Sequence, residues 1–306
     1  MDFQKTARPI RIGITLGDPA GVGPEVIEAA LRDFECPENC AIEILPCEGI
    51  HRPGVSTPES ARAALEALET AAEKLRAGEW QAVVTGPVCK HSLHAAGFDF
   101  PGQTEFFAAR AGVENFAMCL TGGKLTVALV TAHEPLALVP GLLTLPVIVC
   151  TGRLLRDFLR LRGLANPRIA VAGLNPHAGE NGDLGREEIE MIAPAVEDLK
   201  MHGDFRGPFA SDTIFHRAVE GEFDGILCMY HDQGLIPLKL HAFHEGVNVT
   251  LGLPFVRTSP DHGTAFDIAG KGAARADSMK AALRLACELT LARAVLFNSP
   301  SAVASR

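Results

Sequence analysis

The chain has 306 residues, 47% of them hydrophobic, a net charge of −9 and a pI near 5.7. That length suffices for one large α/β unit or for two lobes sharing a cleft. The acidic balance and the lack of any long basic run argue against nucleic acid and anionic membrane as partners. Eight Cys are present and no two form a C-x-x-C pair. Cys119, Cys150 and Cys228 lie in apolar runs and read as buried small hydrophobes. Met1 to Pro9 is polar and no apolar signal segment follows, so the thiols point to the reducing cytoplasm. Charges, Pro or Gly interrupt every apolar stretch before it could span a bilayer.

Short apolar runs alternate with helical periodicity, which is the pattern of an α/β fold. Ile10 to Leu16 reads as a first strand, ending in Gly17-Asp18-Pro19-Ala20-Gly21-Val22-Gly23-Pro24, with a helix starting near Pro24. Ala41 to Leu45 reads as a second strand, within a Cys36 to Pro58 stretch that is otherwise an irregular surface loop. Thr57 suits an N-cap and Pro58 the first helical position, giving a helix to about Arg76 that stops at Gly78. Ala82 to Thr85 reads as a buried strand. Phe116 to Leu120 and Leu125 to Thr131 flank Gly122-Gly123 as a hairpin. A helix over about Pro146 to Leu161, a strand at Ile169 to Ala172, a helix over Arg186 to His202 and a strand at Gly225 to Met229 follow. Val247 to Leu251 reads as a strand, and Asp277 caps a last helix to about Leu296.

Three histidines stand just beyond expected strands: His133, His177 and His231. Open α/β sheets gather ligand sites at such strand ends. Imidazole suits zinc, cobalt, nickel and iron, and three leave coordination positions for a substrate. A single His in such a place is more commonly a hydrogen-bonded loop residue; three at equivalent places weaken that reading, while spacing alone does not establish that they converge. No H-E-x-x-H occurs, so a zincin-type protease finds no support.

Several segments carry a resemblance. Gly17-Asp18-Pro19-Ala20-Gly21-Val22-Gly23-Pro24-Glu25, Thr85-Gly86-Pro87-Val88, Gly102-Gln103-Thr104-Glu105-Phe106, Gly173-Leu174-Asn175-Pro176-His177-Ala178-Gly179-Glu180, Met229-Tyr230-His231-Asp232-Gln233-Gly234 and Asn248 to Ser259 run in order over nearly the whole chain. In these the chain resembles the 4-hydroxythreonine-4-phosphate dehydrogenase family of vitamin B6 biosynthesis. The resemblance implies a homodimer with its active site at the interface, one divalent metal ion (Zn, or Co, Mg or Mn), and NAD. It implies His133, His177 and His231 as metal ligands, and Thr104, Lys239, Asn248 and Arg257 as substrate-binding residues. Lys239 and Arg257 suit an anionic phosphate or carboxylate. Gln103 stands where the family usually has His, and Gln can hydrogen-bond but cannot shuttle a proton.

The first βα turn lacks the full G-x-G-x-x-G fingerprint and its acidic partner, so a Rossmann domain is not expected. Asp261-His262-Gly263-Thr264-Ala265-Phe266-Asp267-Ile268-Ala269-Gly270-Lys271-Gly272 instead is similar to the adenosine-binding loop of isopropylmalate and isocitrate dehydrogenases. That likeness implies a two-lobed α/β/α architecture of that type. It makes His262, Gly263, Thr264, Ala265 and Asp267 cofactor-binding residues, with Asp267 favouring NAD over NADP. The expected lobes are approximately 1–100 plus 263–306 on the cofactor side, and 101–262 for metal, substrate and dimerisation.

The reaction implied is oxidation of 4-phosphooxy-L-threonine to 2-amino-3-oxo-4-phosphooxybutanoate, which decarboxylates to 3-amino-2-oxopropyl phosphate. Asp232 is the candidate base or the partner of His231, and Lys239 the alternative base. Gln103 keeps open a paralogue acting on threonate or erythronate 4-phosphate, or on the cis-dihydrodiol of an aromatic acid. A metal-dependent hydrolase or lyase without NAD is the reading from another class.

Overall fold

The computed structural model describes residues 9–49 and 51–298. The polar stretch ahead of Pro9 lies outside them. The chain divides into two compact units, Met1–Ala111 with Pro254–Arg306, and Gly112–Leu253.

The first unit begins with β1 (Ile10–Thr15), α1 (Gly23–Arg32), β2 (Cys40–Leu45), α2 (Pro58–Arg76), β3 (Ala82–Thr85), α3 (Lys90–Ala95) and α4 (Gln103–Ala111). The second contains β4 (Ala117–Gly122), β5 (Leu125–Leu129), α5 (Val139–Leu142), α6 (Leu145–Leu161), β6 (Arg168–Ala172), α7 (Ala193–Lys200), β7 (Asp204–Phe209), α8 (Ser211–Val219), β8 (Gly225–Cys228), α9 (His231–Ala242) and β9 (Val247–Leu251). The chain then returns to the first unit with β10 (Val256–Pro260) and α10 (Asp277–Asn298).

In the first unit the strands run β2-β1-β3-β10, all parallel. Ile12, Ile14, Val83 and Val84 have no exposed surface, as expected where helices cover both faces of a parallel sheet. α1 packs with α10, and α2 gathers α3 and α4. The chain leaves β1 towards β2 on one side and reaches β3 on the other. The loop after β1 therefore sits at a reversal of strand order, where open α/β sheets bind ligands. α2 begins as its sequence predicts. Thr57 accepts from the Ser60 backbone N–H, the Ser60 hydroxyl oxygen accepts from the Thr57 backbone N–H, and Pro58 opens the helix.

In the second unit the order is β9-β4-β5-β8-β6-β7. The hairpin β4–β5 is antiparallel as expected, and β4 is also antiparallel to β9. β5, β8, β6 and β7 are mutually parallel. β8 inserts between β5 and β6, which precede it in the chain.

The strand expected at Ala41 to Leu45 is present as β2, paired along β1 from Cys40 to Leu45. Three expectations need correction. The unit boundaries fall at 111/112 and 253/254 rather than near 100 and 262, because α4 packs on α2 and β10 pairs with β3. Gln103, Thr104 and Arg257 thus belong to the first unit. The Arg186 to His202 helix opens with a π-helical turn, Glu188–Ile192, before α7. Cys150 is only half-buried, whereas Cys119 and Cys228 are fully buried. No single helix among the described residues is long and apolar enough to cross a membrane.

The capping geometry gives a direct test. Thr57→Ala removes the side-chain acceptor and should destabilise the protein by about 1 kcal/mol in urea unfolding.

Candidate active site

The strand order of the second unit explains where its histidines meet. Thr131 N–H and hydroxyl both donate to the Met229 carbonyl, at 3.1 and 2.8 Å, and Val130 N–H donates to Cys228 O at 2.9 Å. This extends the β5–β8 pairing past the strands and delivers His133 and His231 side by side, ring centroids 5.6 Å apart. The two imidazoles line a cavity of about 460 Å³ with Ala132, Glu134, Tyr230 and Asp232. Burial pushes the Tyr230 phenol up, and Asp232 adds to that. His231 Nδ1 donates to Asp232 Oδ1 at 2.7 Å. α9 can start this close to the sheet because residue 234 is Gly. A Cβ there would stand 3.0 Å from Cys228 Sγ and 3.1 Å from a Leu129 methyl.

His177 lies beyond β6, the other neighbour of β8. It opens a run of five residues with left-handed backbone, His177 to Asn181, with φ between 44° and 81°. Each non-Gly residue there costs roughly 1–2 kcal/mol, so the surroundings must hold the turn. His177 Nδ1 donates to Glu180 Oε1 at 2.7 Å, and the imidazole side chain is 63% exposed. Among the described residues no three His, Cys, Asp or Glu side chains assemble into a set that could hold a metal ion. The structure thus brings His133 and His231 together and places His177 on the adjoining strand end. Both His177 and His231 engage Nδ1 with a carboxylate, which orients Nε2 for a ligand as metal-binding imidazoles require. The donors therefore suit a divalent ion in chemistry.

In the first unit, Arg257 on β10 is 3% exposed. Its Nη2 donates to Thr85 Oγ1 at 2.9 Å and Gln103 Oε1 at 3.3 Å, and its Nη1 to Thr104 Oγ1 at 3.3 Å. Gln103 Nε2 in turn donates to Gly86 O at 3.2 Å. Burial pushes the guanidinium pKa down to about 10, and Glu105 partly offsets this. Thr85, which the sequence marked as the end of a buried strand and part of a matching segment but not as a site residue, is a direct partner of this cation. Its place at the carboxyl end of β3 was the available signal. In the second unit, Lys239 is half-buried on the last turn of α9. Asn248 is on β9, its Oδ1 buried without a hydrogen-bond partner.

The loop from Asp261 to Gly272 packs on the turn after β1. Val22 N–H donates to Thr264 O at 2.9 Å, and Gly270 N–H to Glu25 Oε2 at 3.0 Å. Gly21 permits this approach, since a Cβ there would stand 2.9 Å from Thr264 O. His262 keeps Nε2 buried without a partner, Ala265 adopts φ 41°, and Gly263 and Asp267 are exposed. A buried polar atom left unmatched in a native fold calls for an explanation such as strain, an ordered water or a ligand. A larger cavity, about 500 Å³, opens by Ile10, Gln81 and Phe255 at the amino ends of β1, β3 and β10. It holds none of the residues above, and parallel sheets bind ligands at their carboxyl ends.

Comparison with known proteins gives these features a context. Residues 22–286 match the family model described as pyridoxal phosphate biosynthetic protein PdxA. The chain is 42% identical over 325 residues to the 4-hydroxythreonine-4-phosphate dehydrogenase of Desulfosudis oleivorans, covering 92% of this chain and 96% of that one. The crystal structure of 4-hydroxythreonine-4-phosphate dehydrogenase from Klebsiella pneumoniae superposes with TM-score 0.78 at 36% identity, covering 92% and 99%. A terephthalate 1,2-cis-dihydrodiol dehydrogenase from Burkholderia xenovorans matches at TM-score 0.65 and 27% identity, covering 92% and 98%. Isocitrate dehydrogenase from Methylococcus capsulatus, at TM-score 0.53 and 14% identity over 94% and 89%, shares the fold alone. The architecture is that non-Rossmann α/β type.

The Thr131 bond that sets the histidine pair can be removed without changing shape. Thr131→Val should cost about 1 kcal/mol in urea unfolding, the ordinary net worth of one buried hydrogen bond.

Proposed function

The chain belongs to the pyridoxal phosphate biosynthetic protein PdxA family and is an oxidoreductase, and from that footing we propose that it oxidises 4-phosphooxy-L-threonine with NAD and a divalent metal. The observation that carries the phosphorylated substrate is Arg257. It is 3% exposed, and Thr85, Thr104 and Gln103 are among the partners that fix the orientation of its guanidinium. A guanidinium fork held in place matches a phosphate through charge-assisted, bidentate hydrogen bonds. Thr104 and Gln103 then hold the guanidinium fork in orientation, while Lys239 and Asn248 contribute further donors.

His133, His177 and His231 would hold the metal, which would supply Lewis acidity toward the reacting hydroxyl. Asp232 is already bonded to His231 Nδ1, so its part is to orient that imidazole. Lys239 is then the residue that would take the proton from the hydroxyl oxygen, and the nicotinamide, when bound, would supply the acceptor for hydride from the carbon bearing that oxygen. His262, Gly263, Thr264, Ala265 and Asp267 would bind the adenosine half of NAD, with the buried His262 Nε2 meeting it and the exposed Asp267 carboxylate disfavouring a 2′-phosphate. The cis-dihydrodiol reading draws on Gln103 and on the Burkholderia xenovorans neighbour.

A homodimer is proposed on exposed apolar surface: Ile236, Leu240 and Phe243 recur along α9 and its end at 63%, 88% and 68% exposure, and the exposed Leu136 lines the cavity with His133. Such surface is normally covered by a partner.

The substrate assignment is tested by NAD reduction over a panel of 4-phosphooxy-threonine, threonate 4-phosphate, unphosphorylated 4-hydroxythreonine and an aromatic-acid cis-dihydrodiol. The phosphorylated threonine should lead, and Arg257→Ala should lower its kcat/KM by roughly 10–100-fold, as loss of a charge-assisted pair implies. Equal or better use of the unphosphorylated compounds refutes phosphate recognition. Leu240→Asp should convert the dimer to monomer in sedimentation velocity and abolish turnover.

A further inference from the structure

Gln233 lies two residues past His231, is 7% exposed, and spends every polar atom of its side chain on protein partners. Its Oε1 accepts from Met229 N–H at 2.6 Å, on the turn that leads to His231. Its Nε2 donates to Gly173 O at 2.6 Å, on the turn that leads to His177, and to Ser211 Oγ at 2.8 Å, at the start of α8. Ser211 Oγ also donates to Gly173 O at 3.0 Å. The β6–β8 backbone register reaches Val171–Leu227. Beyond it, the Gln233 amide ties the two departing chains together.

We propose, resting on the metal reading above, that Gln233 is a positioning residue that sets the spacing of the turns bearing His177 and His231. Only a primary amide of this length offers one acceptor and two donors in the needed places. A carboxylate could not donate to Gly173 O, and an apolar chain could do neither. The far flank of the same segment is held by Glu188, 3% exposed, in the π-helical turn. Its Oε1 accepts from Leu174 N–H and Asn175 N–H at 2.7 Å each, and its Oε2 from Asn175 Nδ2 at 3.0 Å. Gly173 to Asn175 is therefore gripped from two sides immediately before the left-handed run that carries His177. That grip is what over-determines a turn which its own backbone energetics disfavour. Met229 links the third histidine, since its carbonyl receives Thr131 while its N–H goes to Gln233.

The test titrates metal-stripped full-length protein with Co²⁺ by calorimetry and by the visible spectrum of the bound ion, with Tm measured alongside. Wild type, Gln233→Glu, Gln233→Met and Ser211→Ala are compared. Thr57→Ala, which loses a helix cap in the other unit, serves as a control for destabilisation without a positioning effect. The Gln233 variants should bind Co²⁺ roughly 10–100-fold more weakly, the usual cost of losing an orienting group, and shift its spectrum; Thr57→Ala should bind as wild type does. Wild-type affinity and spectrum in the Gln233 variants overturn the positioning role while leaving the metal site standing. Equal weakening in Thr57→Ala also overturns it, by assigning the loss to stability. Failure of wild type to bind Co²⁺ overturns the metal reading, and this role with it. If Gln233→Met does not fold, Gln233→Glu and Ser211→Ala carry the same comparison.

Discussion

The insertion of β8 between β5 and β6 is the constraint on which the chemistry of the second unit depends. Parallel neighbours stand about 4.8 Å apart, so three segments remote in the chain end side by side with their carboxyl ends aligned. Nothing in the individual turns after those strands would bring His133 near His231. The ladder does so, and hydrogen bonds centred on Met229 continue the alignment after the strands have ended. The cavity with its two imidazoles is a product of topology first and of side-chain chemistry second.

The first unit solves a different problem, that of keeping a cation out of water. Arg257 sits on β10 opposite Val83 of β3, at a buried position where an apolar residue would be the ordinary occupant. Its donors meet two hydroxyls and an amide. Gln103 matters here because its amide has two ends, one accepting from Arg257 and one donating to Gly86 O. An imidazole at 103 could match that only in one tautomer, and would add a titrating group beside the guanidinium. Gln adds no titrating group at that position.

Much of this was legible in the sequence where local signals were strong. The α2 cap and stop, the β4–β5 hairpin and the strands ahead of the three histidines follow from periodicity and turn chemistry. Other elements carried contradictory signals. α9 contains Gly234 and Pro237 and exposes Ile236 and Leu240, so neither helix propensity nor an apolar stripe marks it. β7 is an edge strand interrupted by Gly207 and Pro208. β10 is fully buried yet reads Val-Arg-Thr-Ser-Pro, which has no strand-like alternation. The left-handed run at His177 includes Ala178 and Glu180, residues that do not announce positive φ. The types of the site residues were readable from the chain; their partners, such as Thr85 for Arg257 and Glu188 for the His177 turn, depend on contacts between segments far apart in sequence.

Gly234 carries a wider consequence. With no side chain to hold it off, the first turn of α9 rests directly on Cys228, Leu129 and Val127, all fully or nearly fully buried. Those three apolar side chains set the height at which His231 stands above the sheet. A core substitution beneath it, such as a bulkier residue at 228 or a shorter one at 129, would therefore register as a shifted imidazole as well as a change in stability. Variation in this part of the hydrophobic interior is thus constrained by the alignment of His231 as well as by packing volume.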